Sequence, residues 1–218
     1  MGPVLGELLP LAVGVAVSPI PIIAAILMLL GRHARTTSIG FAIGWLVGIV
    51  VAVAVFVALG SAVDLDGSSS STGWMKIALG VVLLVVGLRQ WRSRHAESAT
   101  PKWMSAIDEM RPVTAMGIAF ALAAINPKNL VLCAAAGVSI ASGALSMPQD
   151  VIAVAIFALL ASTSVVVPVV GYQLAAARLR EPLDRLKSWL QANNATVMAV
   201  LILVIGVVLI GKGIGGAS

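Results

Sequence analysis

The sequence predicts an all-α integral membrane protein with six transmembrane helices, arranged as two inverted three-helix repeats with a broken first and fourth helix. Three observations support this fold class. The 218 residues are 60% hydrophobic and only 11% charged, whereas a soluble domain carries about 25% charged residues. Six apolar runs are long enough to cross a bilayer. The first and fourth runs carry polar interruptions at corresponding positions, as the two halves of an inverted repeat do.

The apolar runs divide the chain into spans and loops. A helix needs about 20 apolar residues to cross the hydrocarbon core, and the third run is the shortest of the six. No cationic segment or cleavage site accompanies the first run, which indicates a retained span rather than a signal peptide. The predicted spans are Val4–Leu30, Ser38–Gly60, Trp74–Arg89, Val113–Ser142, Val151–Ala177 and Trp189–Leu209. Together they predict one transmembrane domain (1–218) made of a first repeat (1–91), a cytoplasmic linker (92–111) and a second repeat (112–213).

The distribution of basic residues predicts the orientation. Eleven of the 14 Lys and Arg residues lie in the loops that follow spans one, three and five. Cytoplasmic loops carry an excess of Lys and Arg, so we expect these loops inside the cell and both termini outside the cytoplasm. The expected location is the cytoplasmic (inner) membrane of a bacterium. The segment "EPLDRLKSWL" places Pro182 at a first helical position and predicts a short interfacial helix that leads into span six.

Two short motifs interrupt the first and fourth spans. "SPIP" begins at Ser18 and "NPKN" begins at Asn126, 108 residues later. Three spans in each half place the halves in opposite orientations, which is the inverted repeat of many secondary transporters. A proline inside a helix removes a backbone hydrogen bond and clashes with the preceding turn. The predicted helix breaks are Pro19, Pro21, Pro127 and Pro168.

Lys128 is a charged residue predicted to lie near the bilayer midplane. A lysine at that depth costs a few kcal/mol, and no carboxylate lies in the same part of its span. It could face a cavity and bind an anionic group, helped by backbone amides at the start of a half-helix. The alternative is a lysine that snorkels or caps carbonyl groups. The predicted substrate-binding residues are Ser18, Asn126, Lys128 and Asn129.

Small residues recur every four positions along the second span, at Gly40, Gly44 and Gly48. A ridge of this kind lets two helices approach each other closely. We expect it to pack against another helix of the same chain, with a homodimer face as the alternative.

The composition argues against several classes of function. The chain shows no paired carboxylates, no nucleophile–base set and no His/Cys cluster, and it has a single cysteine. We therefore expect neither an enzyme nor a metal or other cofactor. Topology explains the basic residues, so we expect no nucleic acid partner.

Four stretches carry a resemblance to a known family: "LLPLAVGVAVSPIPIIAAILMLLGRHART", "FAIGWLVGIV", "INPKNLVL" and "PLDRLKSWLQANNATVMAVLILVIG". They resemble the glycolipid-addressing protein (GAP) family, which includes the sulfolipid-addressing proteins and belongs to the lysine exporter (LysE) superfamily. The resemblance runs from about Leu8 to Lys212. It implies a six-helix inverted-repeat transporter fold. The motif positions that it carries over are Ser18, Pro19, Pro21, Asn126, Pro127, Lys128 and Asn129.

The resemblance implies export or translocation of glycolipids or their precursors in an actinobacterial cell envelope, whereas the wider superfamily exports amino acids and metal ions. Lys128 favours a transporter or flippase for an anionic, polar-headed lipid, with membrane lipids and that substrate as its partners. Two alternatives stay open. One is an exporter of a small polar solute such as an amino acid, and the other is a non-transporting scaffold for envelope-lipid assembly.

Overall fold

The computed structural model describes residues 1–62, 69–92 and 110–217. Within these ranges the chain is helical and forms no β-strand. A long helical segment, Met147–Ala217, contains a kink at Ala175, where φ is −145° and ψ is 48°. We divide it there into two helices. The elements are α1 (Gly2–Ala16), α2 (Pro19–Leu30), α3 (Ala34–Ala62), α4 (Ser69–Arg92), α5 (Pro112–Ala124), α6 (Pro127–Ala141), α7 (Met147–Ala176) and α8 (Arg178–Gly215).

The helices account for four to six membrane spans. Four of them, α3, α4, α7 and α8, are each long and apolar enough to cross a bilayer. The pairs α1–α2 and α5–α6 are long and apolar enough to cross a bilayer when each pair is taken together. The two helices of each pair are bent by 54° and 64° relative to each other. Counting each bent pair as one span gives six. The inverted orientation of the two halves stays a prediction, and most of the predicted linker (92–111) lies outside the described residues.

Each bent pair breaks immediately before a proline. Ser18 and Asn126 have extended backbones, with ψ of 109° and 121°, and each is the N-cap of the helix that follows. A proline disfavours the helical conformation in the residue before it. Its fixed φ and missing N–H suit the first helical position, which Pro19 and Pro127 occupy. The same residue type therefore ends one helix and starts the next in both pairs.

Two sequence predictions about prolines were wrong. The helix continues through Pro168, and the non-helical residue of this region is Ala175. Pro182 lies within α8, so the segment 181–190 is continuous with span six and is not a separate interfacial helix. Packing holds together the two helices that meet at the Ala175 kink. Leu183 and Leu190 of α8 are buried in one cluster with Tyr172 of α7 and apolar residues of α2.

The glycine ridge of α3 packs against α5. A Cβ atom added at Gly40 or Gly44 would lie 2.4 or 2.1 Å from the carbonyl oxygens of Pro112 and Met116. One added at Gly48 would lie 2.7 Å from the Cβ of Ala123. No side chain fits at these distances, so the two backbones can approach only because the ridge is glycine. Since α5 covers the glycine ridge within the same chain, this surface is not available for the homodimer that was the alternative.

Candidate functional site

The two helix breaks meet inside the helix bundle. The Lys128 ammonium donates to Ser18 Oγ over 2.7 Å, although 110 residues separate the two along the chain. Ser18 Oγ lies 3.4 Å from Asn129 Oδ1, to which it donates. The exposed fractions of Ser18, Lys128 and Asn129 are 3%, 4% and 0%. Three of the predicted substrate-binding residues therefore form one buried polar cluster that joins the α1–α2 pair to the α5–α6 pair.

Asn126 and Asn129 satisfy backbone groups that the second break leaves unpaired. Asn126 Oδ1 accepts from the Lys128 backbone N–H over 3.1 Å, as an N-cap side chain does. Asn129 Nδ2 donates over 3.0 Å to the carbonyl oxygen of Leu122, in the last turn of α5. Unpaired polar groups inside a membrane cost several kcal/mol each, so both amides contribute to keeping the break in place. Asn126 holds the backbone beside Lys128 and forms no bond to its ammonium group.

The first break is supported differently. Ser18 makes no capping bond to the backbone of α2, because its hydroxyl is bonded to Lys128 and Asn129. The carbonyl oxygen of Ala16, at the end of α1, accepts from Ser164 Oγ of α7 over 2.5 Å. Ser164 was not among the site residues predicted from the sequence. Its signal is the polar run "STS", 162–164, in the middle of an otherwise apolar span.

The surroundings of Lys128 are short of negative charge. Apart from Ser18, its ammonium lies 3.9 Å from the sulfur of Met198 in α8. Within the described ranges no carboxylate forms an ion pair with it. The N-termini of α2 and α6 both lie at the breaks, and a helix N-terminus carries a partial positive charge. The lysine and the two helix N-termini together give the cluster a positive electrostatic potential, which favours an anionic group.

The chemistry of this cluster depends on the ammonium more than on backbone amides. Pro19, Pro21 and Pro127 carry no N–H, and the N–H of Lys128 is already capped by Asn126. The sequence predicted that backbone N–H groups at the start of a half-helix would help to bind an anion. In the structure, most of these N–H donors are missing or already bonded. Lys128 Nζ has three N–H bonds and is the main donor that a ligand would meet.

A second lysine with a largely buried side chain forms an ion pair in the N-terminal half of α1. Lys76 of α4 forms an ion pair with Glu7 over 2.7 Å, with side-chain exposures of 11% and 29%. Lys212 of α8 lies beside them and donates to the carbonyl oxygen of Gly6 over 3.4 Å. This group ties α1 to α4 and α8. It shows that a lysine in another apolar helix of this chain has a carboxylate partner, in contrast to Lys128.

In the described part of the chain, no group of three or more His, Cys, Asp or Glu residues lies close enough together to hold a metal ion. Cys133 is free and buried in α6.

Comparisons with curated proteins and with solved structures gave no match. One family model, described as "Sap, sulfolipid-1-addressing protein", matches residues 8–215. The match includes both helix breaks and every residue of the buried polar cluster. The broader placement in the lysine exporter superfamily stays a prediction. The match covers far more than half of the sequence, and the chain belongs to the sulfolipid-1-addressing protein family.

Proposed function

We propose that this protein moves a polar-headed, anionic lipid across the bacterial cytoplasmic membrane, with Lys128 as the residue that binds its headgroup. The observation that carries the proposal is the Lys128 ammonium, which is 4% exposed and bonded to Ser18 of the other bent pair. The family name supports a role connected with an envelope lipid. The family name itself does not include transport.

The bond between Lys128 and Ser18 suits exchange for a ligand. An anionic oxygen in place of the neutral Ser18 Oγ would form a stronger, charge-assisted bond with the protonated amine of Lys128. Ser18 would keep Asn129 as a partner. The bond also joins the two bent pairs, so a headgroup that enters between them separates them. Ligand binding and movement of the broken helices are thereby linked.

The competing functions fit this cluster less well. A scaffold gains nothing from a buried cation that lacks a counter-ion, because the cation costs a few kcal/mol. A cationic solute would be repelled by Lys128 and by both helix N-termini. An anionic or zwitterionic solute remains the alternative cargo, and only the response to a lipid probe distinguishes it from the proposed one.

The test uses the purified protein in vesicles of phosphatidylcholine and phosphatidylglycerol. A phosphatidylglycerol with a fluorescent acyl chain reports movement between leaflets through its quenching by added dithionite. We expect the wild-type protein to accelerate this movement and Lys128→Ala to abolish the acceleration. Lys187→Ala is the matched control, because Lys187 pairs with Asp184 of its own helix and not with a residue of either break.

Two results would count against the proposal. Unchanged lipid movement in a folded Lys128→Ala protein would remove the assigned role of the lysine. Efflux of glutamate from loaded vesicles, without any lipid movement, would favour the small-solute alternative.

A further inference from the structure

A groove of about 330 Å³ lies beside the first helix break, between α1, α2 and α7. Its walls are apolar side chains, among them Leu9, Val13 and Leu160. These three are 52%, 54% and 37% exposed, so the groove is open at the side of the bundle. In a membrane-spanning protein that side faces lipid. The groove is therefore a lateral opening into the bilayer and not an aqueous pore.

The groove reaches the break that carries Ser18. Ala16 and Val17 line it, and the next residue is the Ser18 that bonds to Lys128. Ser164 also lines it, but its hydroxyl is used in the bond to the Ala16 carbonyl. The polar groups of the lining are thus paired with each other, and the occupant meets an apolar surface. One end of this surface lies at Val17, the residue before Ser18 of the polar cluster.

The position of the groove identifies its occupant by chemistry. The hydrocarbon core holds acyl chains and excludes water. Lipid chains are as apolar as leucine, so the groove has no hydrophobic preference for one lipid over another. Any selectivity must come from the helix break next to the groove, where Ser18 bonds to Lys128. We infer that the groove holds an acyl chain of the anionic lipid whose headgroup contacts Lys128. This inference rests on the proposed function and adds a second binding surface to it.

A larger groove elsewhere does not meet these conditions. It has a volume of about 640 Å³ and lies between α3 and the start of α7. Its lining residues include Asp150 and no basic residue that could bind an anionic headgroup. None of its lining residues belongs to either helix break. It lacks both a nearby cationic residue and a connection to a helix break, which are the two features that distinguish the groove beside Ala16.

The test compares two photoreactive lipids with identical chains in the full-length protein. Phosphatidylglycerol and phosphatidylcholine, each with a diazirine on one acyl chain, are reconstituted separately and cross-linked by light. Mass spectrometry then maps the adducts. We expect phosphatidylglycerol to label Val13 and Leu160 more than phosphatidylcholine does. Val167 of α7, which is 64% exposed outside the groove, should be labelled equally by both.

Lys128→Ala separates this inference from the proposed function. In that variant the excess labelling of the groove by phosphatidylglycerol should disappear, while labelling at Val167 stays unchanged. Equal labelling of the groove by both lipids in the wild-type protein would overturn the inference, and the dithionite assay would still test lipid movement independently.

A blocking variant gives a second readout. Val13→Trp should slow lipid movement, because the indole ring fills the groove, whereas Val167→Trp should leave it unchanged. Full activity in Val13→Trp, together with loss in Lys128→Ala, would keep the headgroup site and discard the groove.

Discussion

The two helix breaks are built from the same backbone device and are supported in opposite ways. Each has an extended N-cap residue followed by a proline. At the second break, Asn126 and Asn129 satisfy freed backbone groups from within the same bent pair. At the first, Ser18 gives its hydroxyl to the other pair, and the Ala16 carbonyl depends on Ser164 of α7. The second break is therefore self-contained, whereas the first is held by its neighbours.

This difference assigns distinct roles to the two breaks. The self-contained break carries the charge, and a fixed support keeps Lys128 in position. The dependent break carries the hydroxyl that a ligand replaces under the proposed function, and it borders the groove that we infer to hold an acyl chain. We expect the α1–α2 pair to respond to the ligand and the α5–α6 pair to present the charge. The following variants test that division.

The largest expected effect separates stability from transport at the second break. Lys128→Met removes a buried cation without a counter-ion and keeps an unbranched side chain. We expect lipid movement to be lost and the free energy of unfolding to rise by about 2 kcal/mol, since a central lysine costs about that much or more in a membrane. Dithionite quenching and chemical denaturation in detergent measure the two effects. A large loss of stability would show that the bond from Lys128 to Ser18 outweighs the cost of burying the ammonium.

The next effect tests whether the second break supports itself. Asn129→Leu keeps the number and branching of the side-chain heavy atoms but leaves the Leu122 carbonyl without its donor and the Ser18 hydroxyl without its acceptor. A buried polar group without a partner costs about 1–3 kcal/mol. We expect unfolding to become easier by about 2 kcal/mol. Unchanged denaturation would mean that another group satisfies the Leu122 carbonyl, and the break would not be self-contained.

A smaller loss is expected at the first break. Ser164→Ala leaves the Ala16 carbonyl unpaired beside the groove, and we expect a loss of about 1 kcal/mol in the free energy of unfolding. Thr163→Ala is the control, because its hydroxyl bonds to the Leu160 carbonyl within its own helix. Equal effects in the two variants would contradict the special role of Ser164. Denaturation of both proteins under the same conditions makes the comparison.

The two breaks before Pro19 and Pro127 were predicted from the sequence, whereas their tertiary support was not. Pro19 and Pro127 act on the residue just before them, so the positions of the breaks follow from local sterics. Ser164 and the Glu7–Lys76 pair join helices that are far apart in sequence. No local pattern specifies such contacts. Pro168 is a counterexample to the local rule, because this proline lies inside a continuous helix and does not break it.

An effect of similar size distinguishes the two N-caps. Asn126→Ala removes a capping bond and should cost about 1 kcal/mol. Ser18→Ala removes no capping bond, because Ser18 makes none, and should change stability only through Lys128 and Asn129. In the Lys128→Met background its remaining effect should therefore shrink. A double-mutant cycle measures this coupling between the breaks. Strict additivity of Ser18→Ala and Lys128→Met would mean that the 2.7 Å bond contributes nothing, and the first break would then not depend on the second.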